Sequence, residues 1–482
     1  MRLLETTLLI VNIMIIGWMI IRLDKKLRIL IGVSCISTAI LFVHLFFEGP
    51  RWQMIPTYLI TIFIWMYCMK RYSVSEKKIT VSKRRKVLRI VIGIVYVLIA
   101  VILPICLPVF SFERSTGPYE IGTVTYHWVD ENRGETYTND PKDRRKLLVQ
   151  IWYPAKKEKN SSRATYISNS LNYSNELAKE FHLPQFILSY LDLVKTHSVS
   201  GAQLSDKEPN YPVLLFSPSN GGTRFQNTFQ VEELASHGYI VVGIEHPYHS
   251  IVTVFPDGHV TGFHKLNLLD SSVVDHAVEQ VIVKDSQFVL DQLSKLNQDD
   301  PSNRFKGKLN LDRVGMIGHS LGGAATVQML FHDERIKAGI NMDGTFFGDQ
   351  IPDTGLKKPF MLMNSAASVT SETEKPEASQ LTKYGLTREK FDQIIRENAQ
   401  RKTNALANGG YSLTIKNTKH YSYSDFYLYS PLLQWMDGIN PRPVHRMINN
   451  FTVAFFDQYL KDKNSLLDDY IKKYPEVSLE RY

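Results

Sequence analysis

A serine between two glycines is the feature of this 482-residue sequence that most directly indicates chemistry. The run Val314 to Ala325 reads Val-Gly-Met-Ile-Gly-His-Ser-Leu-Gly-Gly-Ala-Ala, which is typical of a strand, a G-x-S-x-G turn and the start of a helix. Gly318 and Gly322 are needed because the turn is tight and side chains there would collide. The pattern predicts that Ser320 is a nucleophile for acyl transfer, held in strained backbone above a sheet.

A serine hydroxyl needs an imidazole to take its proton, and the imidazole needs an acid to orient it. The next predicted strand, Ile336 to Met342, ends directly in Asp343. This position puts a carboxylate at the carboxyl end of a strand beside Ser320, so Asp343 is the predicted acid. Asp353 is the alternative, in a loop further on, and Asp349 is a weaker one, because the acid is required at the strand edge.

The predicted base is His420, which follows the last predicted strand in Lys419-His420-Tyr421-Ser422 and lies in a loop that can reach back over the sheet. His332, in the helix after the nucleophile, and His445, beyond the last predicted strand, are interpreted as surface or packing residues. His319 is interpreted as a local packing neighbour of Ser320.

The oxyanion of an acyl-transfer intermediate needs backbone N–H donors. The first is predicted to be that of Leu321, directly after the nucleophile. The second is expected in the loop that follows Val213 to Ser217. Pro218 has no N–H, so Asn220 is the predicted donor. The alternative is that this loop is an ordinary turn, since Gly and Asn are common in turns.

The segment Glu245 to His249 contains a carboxylate and two histidines, which could suggest a metal site. Its proline and the lack of other clustered ligands favour a loop or a substrate contact instead, so no metal is predicted, and the proposed chemistry requires no cofactor. The cysteines, Cys35, Cys68 and Cys106, all lie in apolar stretches before residue 113. The rest of the chain therefore has no disulfide, thiolate nucleophile or cysteine-zinc site.

Short β-rich runs alternate with longer amphipathic segments after residue 122, which predicts an α/β domain with a mostly parallel sheet covered by helices. The predicted strands are Leu147 to Tyr153, Val213 to Ser217, Ile240 to Ile244, Arg313 to Ile317, Ile336 to Met342, Pro359 to Asn364 and Tyr411 to Ile415. Helices are predicted over Phe229 to His237 and Val273 to Leu296. Two stretches interrupt the alternation: the apolar Phe181 to Val194, which could cover the site or touch a membrane, and the charged Ser368 to Ala407, expected to be a solvated cap.

Four apolar stretches precede this domain, each near the roughly 20 residues that a bilayer-spanning helix needs. They are Leu3 to Ile21, Ile29 to Phe47, Trp52 to Met69 and Ile90 to Phe112. The predicted domains are therefore 1–112, an all-α transmembrane region of four helices, and 113–482, the catalytic domain. A signal peptide in place of the first stretch and buried helices of a soluble domain are the alternatives; the third stretch is the weakest span because it contains Pro56.

Basic residues indicate how the four spans are oriented, because short loops rich in Lys and Arg stay on the cytoplasmic side. The loops after the first and third stretches hold twelve basic residues and two acidic ones, a net charge of +10 against +8 for the whole chain. The twelve are Arg22, Lys25, Lys26, Arg28, Lys70, Arg71, Lys77, Lys78, Lys83, Arg84, Arg85 and Lys86. The catalytic domain is then extracytoplasmic, in an integral protein of the plasma membrane. The positive charge is interpreted as a topology signal and a contact with anionic lipid headgroups, and nucleic acid is excluded as a partner.

The sequence resembles the type II platelet-activating-factor acetylhydrolase family over roughly residues 145 to 430. The matching pieces are Val149 to Pro154, Phe216-Ser217 with its glycine loop, Leu234 to Val241, Ile244 to His246, Ile317 to Ala324 and Asp425-Phe426. The resemblance implies a serine esterase with an α/β-hydrolase fold, in which Ser320, Asp343 and His420 match the family's nucleophile, acid and base. The family usually has His-Gly where this chain has Pro218-Ser219, and the four-span anchor is foreign to its animal members.

The sequence therefore predicts a membrane-anchored carboxylic ester hydrolase whose substrate is a phospholipid or another lipidic ester, with the bilayer as its other partner. Two alternatives keep the fold: a catalytically silent surface receptor, and a peptidase or acyltransferase that uses the same triad.

Overall fold

The computed structural model describes residues 1–21, 27–73, 83–158, 161–268, 270–373 and 387–482. Its residues form two compact units. The smaller unit contains Met1–Ser111, Tyr190–Val194 and Leu428–Asp437, and the larger contains Phe112–Ser189, Lys195–Tyr427 and Gly438–Tyr482. Arg22, Asp24, Lys25, Lys26, Glu76, Lys77 and Lys78, which the topology prediction used, lie outside the described residues.

The smaller unit is built from four apolar helices, α1 (Leu3–Ile21), α2 (Leu27–Phe47), α3 (Ile55–Ser73, preceded by a 3₁₀ turn at Trp52–Met54) and α4 (Lys83–Cys106). Among the described residues, two helical stretches of 21 residues, Leu27–Phe47 and Trp52–Tyr72, are long and apolar enough to cross a bilayer. The apolar parts of the other two helices, Leu3–Met19 and Ile90–Cys106, are shorter. The predicted four spans are thus supported for two helices only, and signal sequences and soluble core helices meet the same criteria.

Polar contacts hold the helices of this unit together at one end. The guanidinium of Arg51 donates to both carboxylate oxygens of Glu5, with Nε–Oε1 at 2.6 Å and Nη2–Oε2 at 2.8 Å, and neither side chain is exposed. Arg51 also donates to the carbonyls of Leu107 and Pro104, near the end of α4. This arrangement joins the start of α1, the turn before α3 and the end of α4 through one buried ion pair.

The larger unit is organised around an eleven-stranded sheet in the order β13-β12-β11-β10-β9-β5-β6-β2-β1-β4-β3. The strands are β1 (Glu120–Gly134), β2 (Arg144–Ala155), β3 (Arg163–Thr165), β4 (Lys195–Ser200), β5 (Tyr211–Ser217), β6 (Ile240–Glu245), β9 (Leu309–His319), β10 (Ile336–Met342), β11 (Phe360–Ser365), β12 (Tyr411–Ile415) and β13 (Val477–Arg481), while β7 (Val252–Val254) and β8 (Val260–Gly262) form a separate hairpin. The six central strands β6, β5, β9, β10, β11 and β12 run parallel. Their carboxyl ends therefore meet at one edge of the sheet.

Helices cover both faces of this sheet. They are α5 (Ser170–Phe181), α6 (Thr228–Ser236), α7 (Ser271–His276), α8 (Lys284–Gln298), α9 (Leu321–His332), α10 (Ala366–Thr373), α11 (Arg388–Leu406), α13 (Pro441–Leu460) and α14 (Leu467–Lys473), and α12 (Pro431–Asp437) belongs to the smaller unit. A π-helical segment, Ala277–Val283, joins α7 to α8. All seven residues of β5 are buried, since a central parallel strand is covered on both faces. The α/β fold with a mostly parallel sheet is the one the sequence predicts.

The sequence predicted the central strands and missed the outer ones. All seven predicted strands are present, and Tyr411–Ile415 and Ile336–Met342 have the predicted bounds. The prediction that the alternation begins after residue 122 is wrong by a few residues, because β1 starts at Glu120 and pairs antiparallel with β2. In the charged stretch 368–407, helices α10 and α11 flank residues 374–386, which are outside the described residues. The apolar stretch 181–194 includes a 3₁₀ turn, Ser189–Leu193.

Candidate active site

Ser320 lies at the turn between β9 and α9, with a backbone φ of +56°. A positive φ is rare for a residue with a Cβ and indicates local strain. The tight turn requires glycine two residues before and two residues after Ser320. A Cβ at Gly318, for example, would lie 2.0 Å from the Gly322 carbonyl oxygen. The Ser320 N–H donates to the Met342 carbonyl at 2.9 Å, which ties the turn to the end of β10.

Asp343 and His420 meet at the carboxyl edge of the sheet. The His420 Nδ1–H donates to Asp343 Oδ2 at 2.8 Å. The same carboxylate accepts hydrogen bonds from the Ser365 N–H at 2.7 Å and the Ser368 hydroxyl at 2.9 Å. The Asp343 side chain is 1% exposed and that of His420 is 37% exposed, so the acid is enclosed while the imidazole remains accessible.

The electrostatics of this contact favour an ionised acid. Burial acts to raise the pKa of Asp343, but the hydrogen bond and charge of His420 outweigh it, helped by Ser365 and Ser368. The pKa of Asp343 therefore lies below its usual range. An anionic carboxylate fixes the imidazole tautomer with the proton on Nδ1, which leaves Nε2 able to accept a proton.

The loop after β5 packs closely on the start of α9. A Cβ at Gly322 would lie 2.1 Å from the Ser217 carbonyl oxygen and 2.6 Å from that of Pro218. In the loop, the Gly221 N–H donates to the His249 carbonyl and the Gly222 N–H to the Ser219 carbonyl, both at 2.7 Å.

Two backbone N–H groups lie in this loop and at the start of α9 without taking part in those hydrogen bonds. Within the described part of the chain, the N–H groups of Asn220 and Leu321 have no protein acceptor, and these are the two donors the sequence predicted for an oxyanion. Gly221 has a φ of +76°, so the loop changes direction directly after Asn220.

His319 has a more specific environment than local packing. Its ring is buried and stands 4.6 Å from the His420 ring, centroid to centroid. The Nε2–H donates to the His420 carbonyl at 3.1 Å, and Nδ1 accepts from the Gln226 side-chain amide at 3.1 Å. Burial, followed by the charge of His420, lowers the pKa of His319 to about 3, so the ring is neutral near pH 7.

The alternative acids and histidines lie elsewhere. Asp353 is exposed in the loop before β11, and Asp349 pairs with His332 at 3.0 Å. His332, Asp349 and Glu279 form the one group among the described residues that could hold a metal ion. His445 is a packing residue, as one of the two interpretations had it: its ring is stacked 3.8 Å from Phe229, and its Nε2–H donates to the Ser424 carbonyl.

The side chains of the segment Glu245 to His249 form ion pairs and hydrogen bonds with residues outside it. Glu245 accepts from the Arg224 guanidinium at 2.6 Å, and His246 Nδ1 donates to Asp285 Oδ2 at 2.9 Å. His249 Nε2 contacts the Tyr137 hydroxyl at 2.7 Å. The side chains of this segment contact different partners, as in a structural loop, which was one of the two predicted interpretations; the other, a substrate contact, stays a prediction. A cavity of about 400 Å³ lies beside Arg224, but its lining does not include Ser320, Asp343 or His420.

The sequence prediction missed the polar residues that support these side chains, namely Gln226, Ser365 and Ser368. Each belongs to a loop or element end whose position depends on the tertiary fold. The available signal was weak: Ser365 and Ser368 follow a predicted strand next to the one that ends in Asp343, where parallel strands bring their carboxyl ends together.

Comparison with known proteins identifies the family of this chain. Residues 108–474 match the family described as platelet-activating factor acetylhydrolase, isoform II. The chain belongs to this family. It is 34% identical over 151 residues to a probable 1-alkyl-2-acetylglycerophosphocholine esterase of Arthroderma benhamiae, covering 31% of this chain and 35% of that one.

Two further comparisons cover more of the chain. A platelet-activating factor acetylhydrolase of Cavia porcellus is 25% identical over 385 residues, which is 73% of this chain and 79% of that protein. A ferulic acid esterase from Streptomyces cinnamoneus superposes with a TM-score of 0.58 at 25% identity and covers 77% of this chain and 99% of its own. These relatives confirm the predicted enzyme class, a carboxylic ester hydrolase. The individual roles of Ser320, Asp343 and His420 stay predictions.

Proposed function

We propose that this chain is a membrane-anchored serine esterase in which Ser320, Asp343 and His420 form the catalytic triad. The observation that carries the proposal is the 2.8 Å contact between His420 Nδ1 and the enclosed Asp343 carboxylate. The positive φ of Ser320, in the strand-to-helix turn whose N–H bonds to the residue before Asp343, supports its role as nucleophile.

The proposed reaction has two halves. Ser320 Oγ attacks the acyl carbon of an ester while His420 Nε2 takes the hydroxyl proton, and the N–H groups of Leu321 and Asn220 stabilise the oxyanion. His420 returns the proton to the leaving alcohol, which leaves an acyl-serine. Water, deprotonated by the same imidazole, then attacks the acyl carbon, and His420 returns the proton to Ser320 Oγ as the bond to the serine breaks and the carboxylic acid is released. Asp343 remains ionised throughout and stabilises the imidazolium.

The proposed substrate is a lipidic ester, with a short acyl ester of a phospholipid as the first candidate. The support is the name of the Arthroderma benhamiae relative, a probable 1-alkyl-2-acetylglycerophosphocholine esterase, and that of the Cavia porcellus relative, a platelet-activating factor acetylhydrolase. A substrate of this kind resides in membranes, which agrees with an enzyme attached to one.

The proposed anchor is residues 1–112, with the catalytic domain, 113–482, on the extracytoplasmic side of the plasma membrane. Its support is the apolar character of all four helices and the basic residues between them. Two stretches meet the length criterion, and two apolar segments of 17 residues could span a thinner or locally adapted bilayer.

The test of this proposal is labelling of intact cells with a membrane-impermeant fluorophosphonate. The wild-type chain is expected to react, because an activated serine attacks phosphorus, and Ser320→Ala is expected to stay unlabelled. Ser478→Ala, at an exposed serine on β13, is the matched control and is expected to label like wild type. Hydrolysis of esters of increasing acyl length by the full chain in nanodiscs then defines the substrate.

Each alternative predicts a different result. Labelling only after lysis would place the catalytic domain on the cytoplasmic side. Absence of both labelling and turnover would favour the silent receptor, and labelling without hydrolysis would favour acyl transfer or peptide cleavage.

A further inference from the structure

A continuous line of hydrogen bonds joins the loop after β5 to the loop that holds His420. The Ser219 hydroxyl and N–H donate to Gln226 Oε1 at 2.9 and 3.3 Å. Gln226 Nε2 donates to His319 Nδ1 at 3.1 Å, and His319 Nε2 donates to the His420 carbonyl at 3.1 Å. The line thus passes from the neighbour of Asn220, through the neighbour of Ser320, to the backbone of the predicted base.

The direction of every bond in this line is fixed by chemistry. A carbonyl oxygen can only accept, so His319 must carry its proton on Nε2. Because the ring is buried and neutral, its Nδ1 must then accept, and the Gln226 amide nitrogen is the donor that faces it. The Gln226 oxygen is left to accept from Ser219. No member can rotate or change tautomer without leaving a polar atom unpaired, which costs about 1–3 kcal/mol when the atom is buried.

The backbone around Gln226 is held from two sides. Its own N–H donates to the Thr223 carbonyl at 3.0 Å, and its carbonyl accepts from the Asp425 N–H at 2.8 Å. A Cβ at Gly222 would lie 1.8 Å from Gln226 Oε1, so glycine at this position lets the amide reach Ser219. The residue that receives this contact, Ser219, is one of the two at which the sequence departs from the His-Gly of the family.

We infer that Gln226 and His319 are positioning residues that hold the Ser219–Asn220 loop and the His420 loop in a fixed relation to Ser320. The inference rests on the proposed function, since it assigns the two loops to the oxyanion donor and the base. Neither residue is assigned a proton transfer or a contact with substrate. Their effect is on geometry: donors 2.7–3.1 Å from the oxyanion, and a base within hydrogen-bond reach of the nucleophile.

The consequence is a loss of turnover that affects kcat more than KM. A displacement of about 1 Å in a catalytic group can lower a rate by about 100-fold. Gln226→Leu, which keeps the shape of the side chain and removes both of its bonds to the line, is expected to lower kcat by roughly 10- to 100-fold, with KM for a small soluble ester within about twofold. His319→Phe is expected to lower kcat to a similar extent.

The experiment measures kcat, KM, fluorophosphonate labelling rate and thermal midpoint for the full chain in nanodiscs, with the two single variants and the double variant. Because both changes break one line, the double variant is expected to be no slower than the slower single variant, whereas independent effects would multiply. His319→Gln, whose amide can restore the donor to the His420 carbonyl, is expected to recover part of kcat. Gln393→Leu on α11 and His259→Phe in the β7–β8 hairpin make the same chemical changes at exposed positions and are the controls.

The possible failures are distinguishable. Wild-type kcat in Gln226→Leu or His319→Phe, or multiplied losses in the double variant, would overturn the inference and leave the proposed function standing. If the thermal midpoint falls and kcat per folded molecule does not, the residues are only structural and the inference is also overturned. A wild-type chain that neither labels nor hydrolyses esters would overturn the proposed function, and the inference with it.

Discussion

Asp343 combines two features that a single substitution can separate. Its backbone has a φ of +52°, in the left-handed region that Asn also tolerates, and its carboxylate accepts from three donors. Asp343→Asn should therefore preserve the turn while removing the charge that stabilises the imidazolium. We expect kcat to fall by roughly 10³- to 10⁴-fold, as loss of the correct tautomer does in other serine hydrolases, with KM and the thermal midpoint changed little.

Asp353→Asn is the matched control, since Asp353 was the alternative acid and is exposed. Steady-state hydrolysis of a soluble ester by both variants decides between the two. A large loss in Asp353→Asn with normal turnover in Asp343→Asn would exchange their roles.

The three residues of the proposed triad could be singled out from the sequence because each follows a recognisable strand. Ser320 has glycine on both sides of its turn, Asp343 ends a buried strand, and His420 follows the last parallel one. Gln226 was not predictable, since a glutamine before a helix has no pattern that indicates a partner 93 residues away.

The junction between the loop after β5 and helix α9 is the element contact on which an oxyanion hole would depend. Gly322→Ala would place a methyl group 2.1 Å from the Ser217 carbonyl oxygen, so the loop or the helix must move. We expect turnover to fall at least 10-fold, by the same sensitivity of rate to misplacement of about 1 Å. The measurement is kcat for a soluble ester.

Gly134→Ala at the end of β1 is the control, because its nearest contact is an ordinary 3.9 Å. If Gly322→Ala turned over substrate like Gly134→Ala, the close packing of loop and helix would have no catalytic importance.

Helix α13 contains a buried histidine whose titration opposes folding in acid. Burial lowers the pKa of His445 to about 3, while an unfolded histidine has a pKa near 6.5. A depressed histidine pKa means that the unfolded chain binds the proton more tightly, so stability is lost as the pH falls below about 6.5. Between pH 7 and pH 5 the loss from one such residue is about 2 kcal/mol.

His445→Phe keeps a ring to stack on Phe229 and removes the titrating group. We expect its thermal midpoint to depend less on pH between 7 and 5 than that of wild type, even if it is lower at pH 7, because the bond to the Ser424 carbonyl is lost. Equal slopes for the two proteins would show that His445 does not contribute to acid lability. His249 and His319, whose pKa values burial also lowers to about 3, contribute to the acid lability in the same direction.

At the scale of elements, sequence pattern was sufficient where burial on both faces makes a strand continuously apolar. This is why β5, β6 and β10 were predicted with almost their observed bounds. Strand β1 was not predicted because its outward residues are polar and partly exposed. Strand β13 was not predicted because its five residues are mostly exposed and it pairs only at the edge of the sheet.

In the whole molecule, the helical unit depends on the buried Arg51–Glu5 pair. Arg51→Leu would leave the buried Glu5 carboxylate with the Arg2 guanidinium, at 2.8 Å, as its remaining counter-charge, so we expect a cost below the roughly 3–5 kcal/mol of a buried charge that loses its partner entirely. We expect a lower thermal midpoint of the helical unit in detergent and poorer membrane expression. Glu5→Gln combined with Arg51→Leu removes both charges and should recover much of the loss. A double variant as unstable as the single one would contradict a role for the Glu5 charge that Arg51→Leu leaves behind.

The division into two units determines which part of the chain can be produced as a separate fragment. The chain passes from one unit to the other after Ser111, Ser189, Val194, Tyr427 and Asp437. The segments Tyr190–Val194 and Leu428–Asp437 make contacts within the helical unit. The Tyr190 hydroxyl donates to the Tyr429 carbonyl, and the Tyr429 ring stacks on Phe110. A recombinant fragment that starts at residue 112 would thus carry two orphaned segments, one beginning eight residues after His420, and would be prone to aggregate. Excision of a soluble enzyme requires replacing 190–194 and 428–437 with short polar linkers, in addition to removing the amino terminus.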